Sequence, residues 1–376
     1  MEGYREENVK VDRSSLLTEL INLIRIKSFF RREAEIASYL VDRLSRIADR
    51  VELIPVPECG GNVLASFGGE RKYLLLTHMD TIELMGEWTK NPWGQIEDNV
   101  VYGLGALDSK SSLAAMMEAI RSLREKQSLD GILFAAVCDG EGFSRGTYHL
   151  IKSGKLNGIK GAIVGEPTSL KVMKGAYGRI VLDVEVKSKP GVGVEAFTNA
   201  IVEASKIVLH ATRYPEISPG TIAPLSIKSP ELIMDHPGIC LLRIDHHYPP
   251  GETEDEVRKK LTSYLQRTDG LKAEVSIKPM KRPTPFMEPY LLEDNSDLLK
   301  VMRDSFVKSF NEEPIVDVHR SVSEANYLSN IAKIPSVIIG PDGGNRHSSD
   351  EFVYVDSVLK LAGILETALS ILVGKG

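Results

Sequence analysis

Residues Lys72–Asp80 read KYLLLTHMD. A short apolar run that ends in a polar cluster suits a strand buried on both faces. Sheets of the α/β type bind ligands at the carboxyl ends of their strands. His78 and Asp80 stand at such an end and are candidate site residues. An Asp two residues after a His can accept the imidazole's second N–H and so orient the ring for a metal. Alone, the triplet reads better as a surface turn.

The pattern around this run alternates helices and strands. Apolar residues recur at helical spacing over Ser14–Ile26 and Glu33–Ile47. Val51–Val56 (VELIPV) reads as a strand, followed by a turn at Gly60–Asn62. Ser111–Leu123 reads as a helix, Gly131–Cys138 as a buried strand, Gly146–Lys152 as the start of a helix and Ile159–Val164 as a further strand. This order predicts an α/β domain with a largely parallel sheet. After Gly178 the texture changes. Arg179–Lys187 alternates apolar and polar residues, as a half-exposed strand does, and Lys272–Lys278 does the same. With helices over Ala196–Ala211 and Thr253–Arg267 and a strand over Ile239–Asp245, two helices on one face of a small antiparallel sheet are expected. Lys281–Pro289, with three prolines, reads as a linker. The first pattern then resumes with a helix over Asp297–Phe310, a strand over Ser336–Ile339 and a last helix over Asp356–Leu372. The expected architecture is a discontinuous α/β domain, residues 1–178 and 286–376, with an α+β domain inserted at 179–285.

Bulk properties narrow the function classes. A chain of 376 residues exceeds one ordinary core and suits two domains. Hydrophobic residues at 42% and charged residues at 26% are those of a globular protein. The net charge of −6, with both signs interspersed, gives no basic surface for nucleic acid. No run approaches the roughly 18 apolar residues of a membrane span. Three scattered cysteines, Cys59, Cys138 and Cys240, and a charged N-terminus without a signal-like stretch fit a cytoplasmic location.

Four more loops carry candidate chemistry. Asp108 lies in Tyr102–Met117 (YGLGALDSKSSLAAMM) just before a helix, where an N-cap role for Asp108 or Ser109 is by itself the better explanation. Asp139 and Glu141 follow the strand ending at Cys138, and Glu166 follows the strand ending at Val164 with Pro167 fixing its turn. His347 lies in a glycine-rich loop after Ser336–Gly340. Each has an ordinary explanation as a capped or solvated loop. Together they place two His and three carboxylates on five loops, a set able to bind two zinc ions.

In order and spacing these segments resemble the M20 metallopeptidase family of deacylases and peptidases. The resemblance rests on GGNVLASFGG (60–69), THMDTIE (77–83), YGLGALDSKSSLAAMM, GEPTSLKVMKG (165–175) and RHSSDEFVYV (346–355). It implies a catalytic α/β domain with an inserted lid through which many members dimerise. It further implies two divalent ions, zinc first and cobalt or manganese next. Asp108 would bridge them, with His78 and Glu166 on one ion and Glu141 and His347 on the other. Asp80 would orient His78. The implied reaction is attack of metal-activated water on a linear amide, in an N-acyl amino acid or a short peptide.

Three positions depart from the family pattern. The family's general-base Glu stands immediately before the ligand Glu, where this chain has Gly140. A lid His corresponds to Val192, and a lid Arg to His247 beside His246. On a strand-like backbone Asp139 points to the opposite face, so it is a poor direct substitute unless its loop is bent. With such a bend, Asp139 as a displaced base and His246 and His247 as donors to the carbonyl oxygen would repair the site. The departures also leave a second reading, a metal-binding homologue without catalysis.

Overall fold

Tyr73–His78 is a strand at the centre of a mixed sheet. The computed structural model describes residues 11–188, 198–230 and 237–374; Val192 lies outside them. Leu74, Leu75 and Leu76 are all at most 1% exposed, so the sheet is covered on both faces here. Burying each such side chain contributes about 1.5–3 kcal/mol.

The strands run in the spatial order Arg50–Ile54, Asn62–Phe67, Ile132–Val137, Tyr73–His78, Gly161–Gly165, Ser336–Ile339 and Val172–Ala176. The four from Ile132–Val137 to Ser336–Ile339 are mutually parallel. The flanks are antiparallel: Arg50–Ile54 and Asn62–Phe67 form a hairpin-like pair, and Val172–Ala176 opposes Ser336–Ile339. The expected parallel sheet therefore holds at the centre only. The short connection between Arg50–Ile54 and Asn62–Phe67 accounts for that antiparallel pair, since a parallel neighbour needs a long crossover. Asn62–Phe67, buried throughout, was hidden behind the glycine turn that precedes it.

Helices Arg13–Arg25, Lys110–Arg124, Asp297–Phe310 and Val355–Gly374 pack together over this sheet. Val355–Gly374 is long and apolar enough to cross a membrane by length and composition only, a test that buried core helices also pass. Asp356, Lys360 and Glu366 interrupt its apolar run. Its Leu361, Ala362, Ile364, Leu365, Ala368 and Leu369 are fully buried in the core.

The chain divides into two units. One comprises 1–175, 291–319 and 323–376; the other comprises 176–290 with 320–322. The second has its own core and a four-stranded antiparallel sheet in the order Thr221–Lys228, Ile239–Tyr248, Gly178–Lys187 and Glu274–Pro279. Ala200–Ala211 and Glu254–Gln266 supply that core's helical side. Thr221–Lys228 gives no strand signal in the sequence, because it is largely exposed and contains Pro224. Proline is tolerated on an edge strand, which is where this one lies.

Candidate metal centre

The carboxyl ends of three adjacent parallel strands build the centre. His78 is the last residue of Tyr73–His78, Glu166 follows Gly161–Gly165, and Glu141 follows Ile132–Val137 by a short turn. Asp108 arrives from the loop before helix Lys110–Arg124, and His347 from the loop after Gly343–Gly344.

These five side chains meet. His78 Nε2 lies 3.1 Å from Asp108 Oδ1 and 4.0 Å from Glu166 Oε1. His347 Nε2 lies 3.2 Å from Asp108 Oδ2 and 3.0 Å from Glu141 Oε1. Ligand atoms of His78, Asp108 and Glu141 all lie within 4.8 Å of one another, a spacing that one metal ion could bridge. Imidazole nitrogens and carboxylate oxygens converging in this way fit a zinc-type ion.

The electrostatics are those of a cation site. Burial raises the Glu166 pKa well above the usual carboxyl range, with the charge of Asp108 adding to the effect. Burial and Asp108 likewise raise Glu141. Burial would raise Asp108 too, but the Arg346 charge and the two imidazoles outweigh it and hold Asp108 well below its ordinary value. Burial would lower His78, yet hydrogen bonds with Asp108 and Asp80 carry it well above its usual value. Hydrogen bonds with Asp108 and Glu141 raise His347 to about 10.

Asp80 supports the centre from behind. His78 Nδ1 lies 3.0 Å from the Asp80 carbonyl oxygen, which leaves Nε2 facing Asp108. The Asp80 carboxylate accepts N–H bonds from Gly140 and Glu141, at 2.9 and 3.0 Å. One carboxylate thus ties the His78 strand to the loop that carries Glu141.

Asp139 does not join the cluster. Its backbone is left-handed, with φ of 60°, so the alternation of an extended strand does not apply. Its carboxylate accepts from the Phe143 and Arg145 amides and pairs with the Arg145 guanidinium at 2.9 Å. It fastens the 139–145 turn. His246 and His247 belong to the second unit, on Ile239–Tyr248. His246 is fully buried, and its Nδ1 lies 3.0 Å from the Thr221 carbonyl. His247 is partly buried beside Asp245, and burial lowers its pKa.

Three residues that matter here escaped the sequence reading. Arg346 Nε donates to Asp108 Oδ2 at 2.5 Å, and its Nη2 lies 3.5 Å from Glu166 Oε2. Glu324, 2% exposed, accepts from Ser144 Oγ at 3.1 Å; burial raises its pKa, and it feels the charge of His78. Glu351, 1% exposed, accepts from the backbone amides of Gly105, Leu107 and Asp108 at 2.9–3.0 Å. Burial pushes it up to about 7 while those amides pull it back. An acid close after a candidate ligand His was the one available signal for Glu351.

Glu351 sets the loop that presents Asp108. Glu351→Ala strands three buried N–H donors, each costing about 1–3 kcal/mol. Thermal melts should show a loss of at least about 3 kcal/mol, with Glu351→Gln retaining part of it. An unchanged melt would mean that the loop holds itself.

The fold and the centre agree with comparisons to known proteins. Residues 74–370 match the model of peptidase family M20/M25/M40. A LysW-lysine/LysW-ornithine hydrolase of Sulfurisphaera tokodaii is 30% identical over 296 residues, 78% of this chain and 79% of that protein. An acetylornithine deacetylase of Aliivibrio fischeri is 26% identical over 343 residues, 85% of this chain and 86% of the relative. The crystal structure of a Staphylococcus aureus tripeptidase superposes with a TM-score of 0.81 at 19% identity, covering 96% of this chain and 99% of the other. With a family match that spans most of its length, and an α/β fold shared with solved M20 structures, the chain belongs to peptidase family M20/M25/M40.

Proposed function

We propose that this chain is a metal-dependent hydrolase of a linear amide bond, acting on an N-acyl amino acid or a short peptide. The observation that carries this is the meeting of His78, Asp108, Glu141, Glu166 and His347 at the ends of parallel strands. Relatives named as a deacetylase and as a LysW-lysine hydrolase support an amide substrate. We take the five residues as the ligands, with zinc preferred and cobalt or manganese as alternatives. A divalent ion held there supplies Lewis-acid polarisation of the carbonyl and lowers the pKa of water.

The chain's own residues supply the rest. Asp80 holds the His78 ring with Nε2 toward the cluster. Asp139 is committed to Arg145, so we place the proton-carrying carboxyl at Glu324 instead. Glu324 is buried, keeps its proton more readily than a free carboxyl, and senses His78. A catalytic carboxyl works best with its pKa moved toward the working pH. The second unit would serve as a lid. Its edge strand Thr221–Lys228 and the exposed Ile201, Val202 and Leu209 support a homodimer formed there.

Gly140 favours a second reading, a metal-binding homologue without turnover, because it provides no carboxyl where the family has one. Stripping the protein, reloading it with zinc, cobalt or manganese, and assaying N-acyl amino acids and dipeptides separates the two. Metal-dependent turnover establishes the hydrolase. Metal binding without turnover on any substrate selects the second reading, and failure to bind metal removes both.

A further inference from the structure

The cluster already contains a cation of its own. Arg346 reaches Asp108 at 2.5 Å and Glu166 at 3.5 Å. Among the described residues, no other side chain donates a hydrogen bond to Glu166. Glu141 is differently placed: it faces His347 at 3.0 Å, and its charge acts on Arg346 without a hydrogen bond or ion pair among the described residues. The two sides of the centre are therefore unequal. A fixed guanidinium holds the carboxylates of Asp108 and Glu166. The Asp108–Glu141–His347 side is held by an imidazole that a metal can take over.

Charge counting sharpens the asymmetry. Asp108, Glu141 and Glu166 bring three negative charges, and Arg346 brings one positive charge that no accessible pH removes. One divalent ion brings these four groups to neutrality, and the buried Asp80 carboxylate beside His78 leaves the centre one charge negative. A second ion makes it one charge positive, on groups that are mostly buried. Like charges close together in a partly dry site repel strongly. The guanidinium fork also matches carboxylates geometrically, so it is not displaced as easily as a lysine ammonium. The Arg346 side chain is 35% exposed, so it can leave toward solvent, but only by giving up both carboxylates.

We propose that Arg346 acts as a resident counter-cation on the Glu166 side, so that the chain holds one divalent ion tightly, on Asp108, Glu141 and His347, and a second only weakly. This rests on the metal-dependent reading above and adds a stoichiometry to it. Arg346 is a positioning residue here. It sets how many ions stay bound and at what affinity.

The test is metal stoichiometry. Full-length protein is stripped, titrated with zinc by calorimetry, and measured for metal content after dialysis against buffered zinc. Wild type should retain one ion and bind a second at least about tenfold more weakly; changing a group that supports metal ligands commonly shifts affinity about 10–100-fold. Arg346→Met should strengthen the second site by at least about tenfold and retain two ions. Arg346→Lys, which keeps the charge but lacks the fork, should fall between wild type and Arg346→Met. Two ions of equal affinity in the wild type would overturn the proposal even if Arg346→Met fails to fold. So would a second site in Arg346→Met that stays as weak as in the wild type. If neither protein binds zinc, the metal-dependent reading falls and takes this one with it, a result distinct from two equal sites.

Discussion

Asp108→Ala is expected to empty the centre of metal and to lower kcat/KM by at least about a thousandfold, since the Lewis-acid contribution is several kcal/mol and each 1.36 kcal/mol is tenfold. Asp108 touches both imidazoles and the guanidinium, so among the described residues no other joins as many parts of the centre. Its removal leaves His78, His347 and Arg346 with fewer opposing charges. The metal-free variant should therefore also melt below the metal-free wild type, because unpairing a buried ion typically costs about 3–5 kcal/mol. Asp108→Asn separates the effects by keeping the shape and losing the charge. Metal content and activity should fall as in the alanine variant, with a smaller loss of stability. Wild-type zinc content and turnover in Asp108→Ala would remove Asp108 from the site.

Gly140→Glu is the obvious attempt to restore the family's general base, and it is expected to fail. A Cβ at Gly140 would lie 2.4 Å from His78 Cβ and 2.5 Å from its Cγ. The Gly140 amide is also pinned to Asp80 at 2.9 Å, so the loop cannot simply step back. Any side chain at position 140 pushes His78 out of line or breaks the Asp80 bonds. Overpacking of this kind costs about 1–3 kcal/mol, and misplacing His78 should weaken metal binding by about 10–100-fold. Gly140→Ala should show most of this loss, since the Cβ alone makes the clash. If Gly140→Glu instead binds metal normally and raises turnover, the loop is softer than its packing indicates and the missing carboxyl is the whole defect. The close approach also accounts for the glycine. With the backbone pressed against the His78 ring, a family Glu does not fit here, and the proton carrier has to come from another element.

The legible part of this molecule lay in its strands and in the loops at their carboxyl ends. KYLLLTHMD announces a buried strand and a polar end by local pattern alone. The same holds for the segments before Glu141 and Glu166. Helices at Asp297–Phe310 and Lys110–Arg124 follow from apolar spacing. The hidden part depends on neighbours far away in the chain. Arg346 looks like any loop arginine until Asp108 and Glu166 arrive beside it, 238 and 180 residues away in sequence. Glu351 looks solvated until three amides of the 105–108 loop close on it. Asp139 is hidden for a different reason. Its left-handed backbone turns the side chain under its own loop, and no periodicity signals that.

The arrangement of the main sheet has a consequence for how the chain is made. Ser336–Ile339 pairs with Gly161–Gly165, and helix Val355–Gly374 fills the core against Lys110–Arg124. A nascent chain that has emerged only as far as residue 330 lacks an inner strand and a core helix of its first unit. The second unit is, apart from 320–322, a continuous stretch with its own core. On the ribosome the inserted part can therefore finish while the part around it waits. During that wait Gly161–Gly165 exposes an unpaired edge and Lys110–Arg124 an uncovered apolar face, features that make partly synthesised chains aggregate. Contacts this distant in sequence also slow refolding of the whole protein.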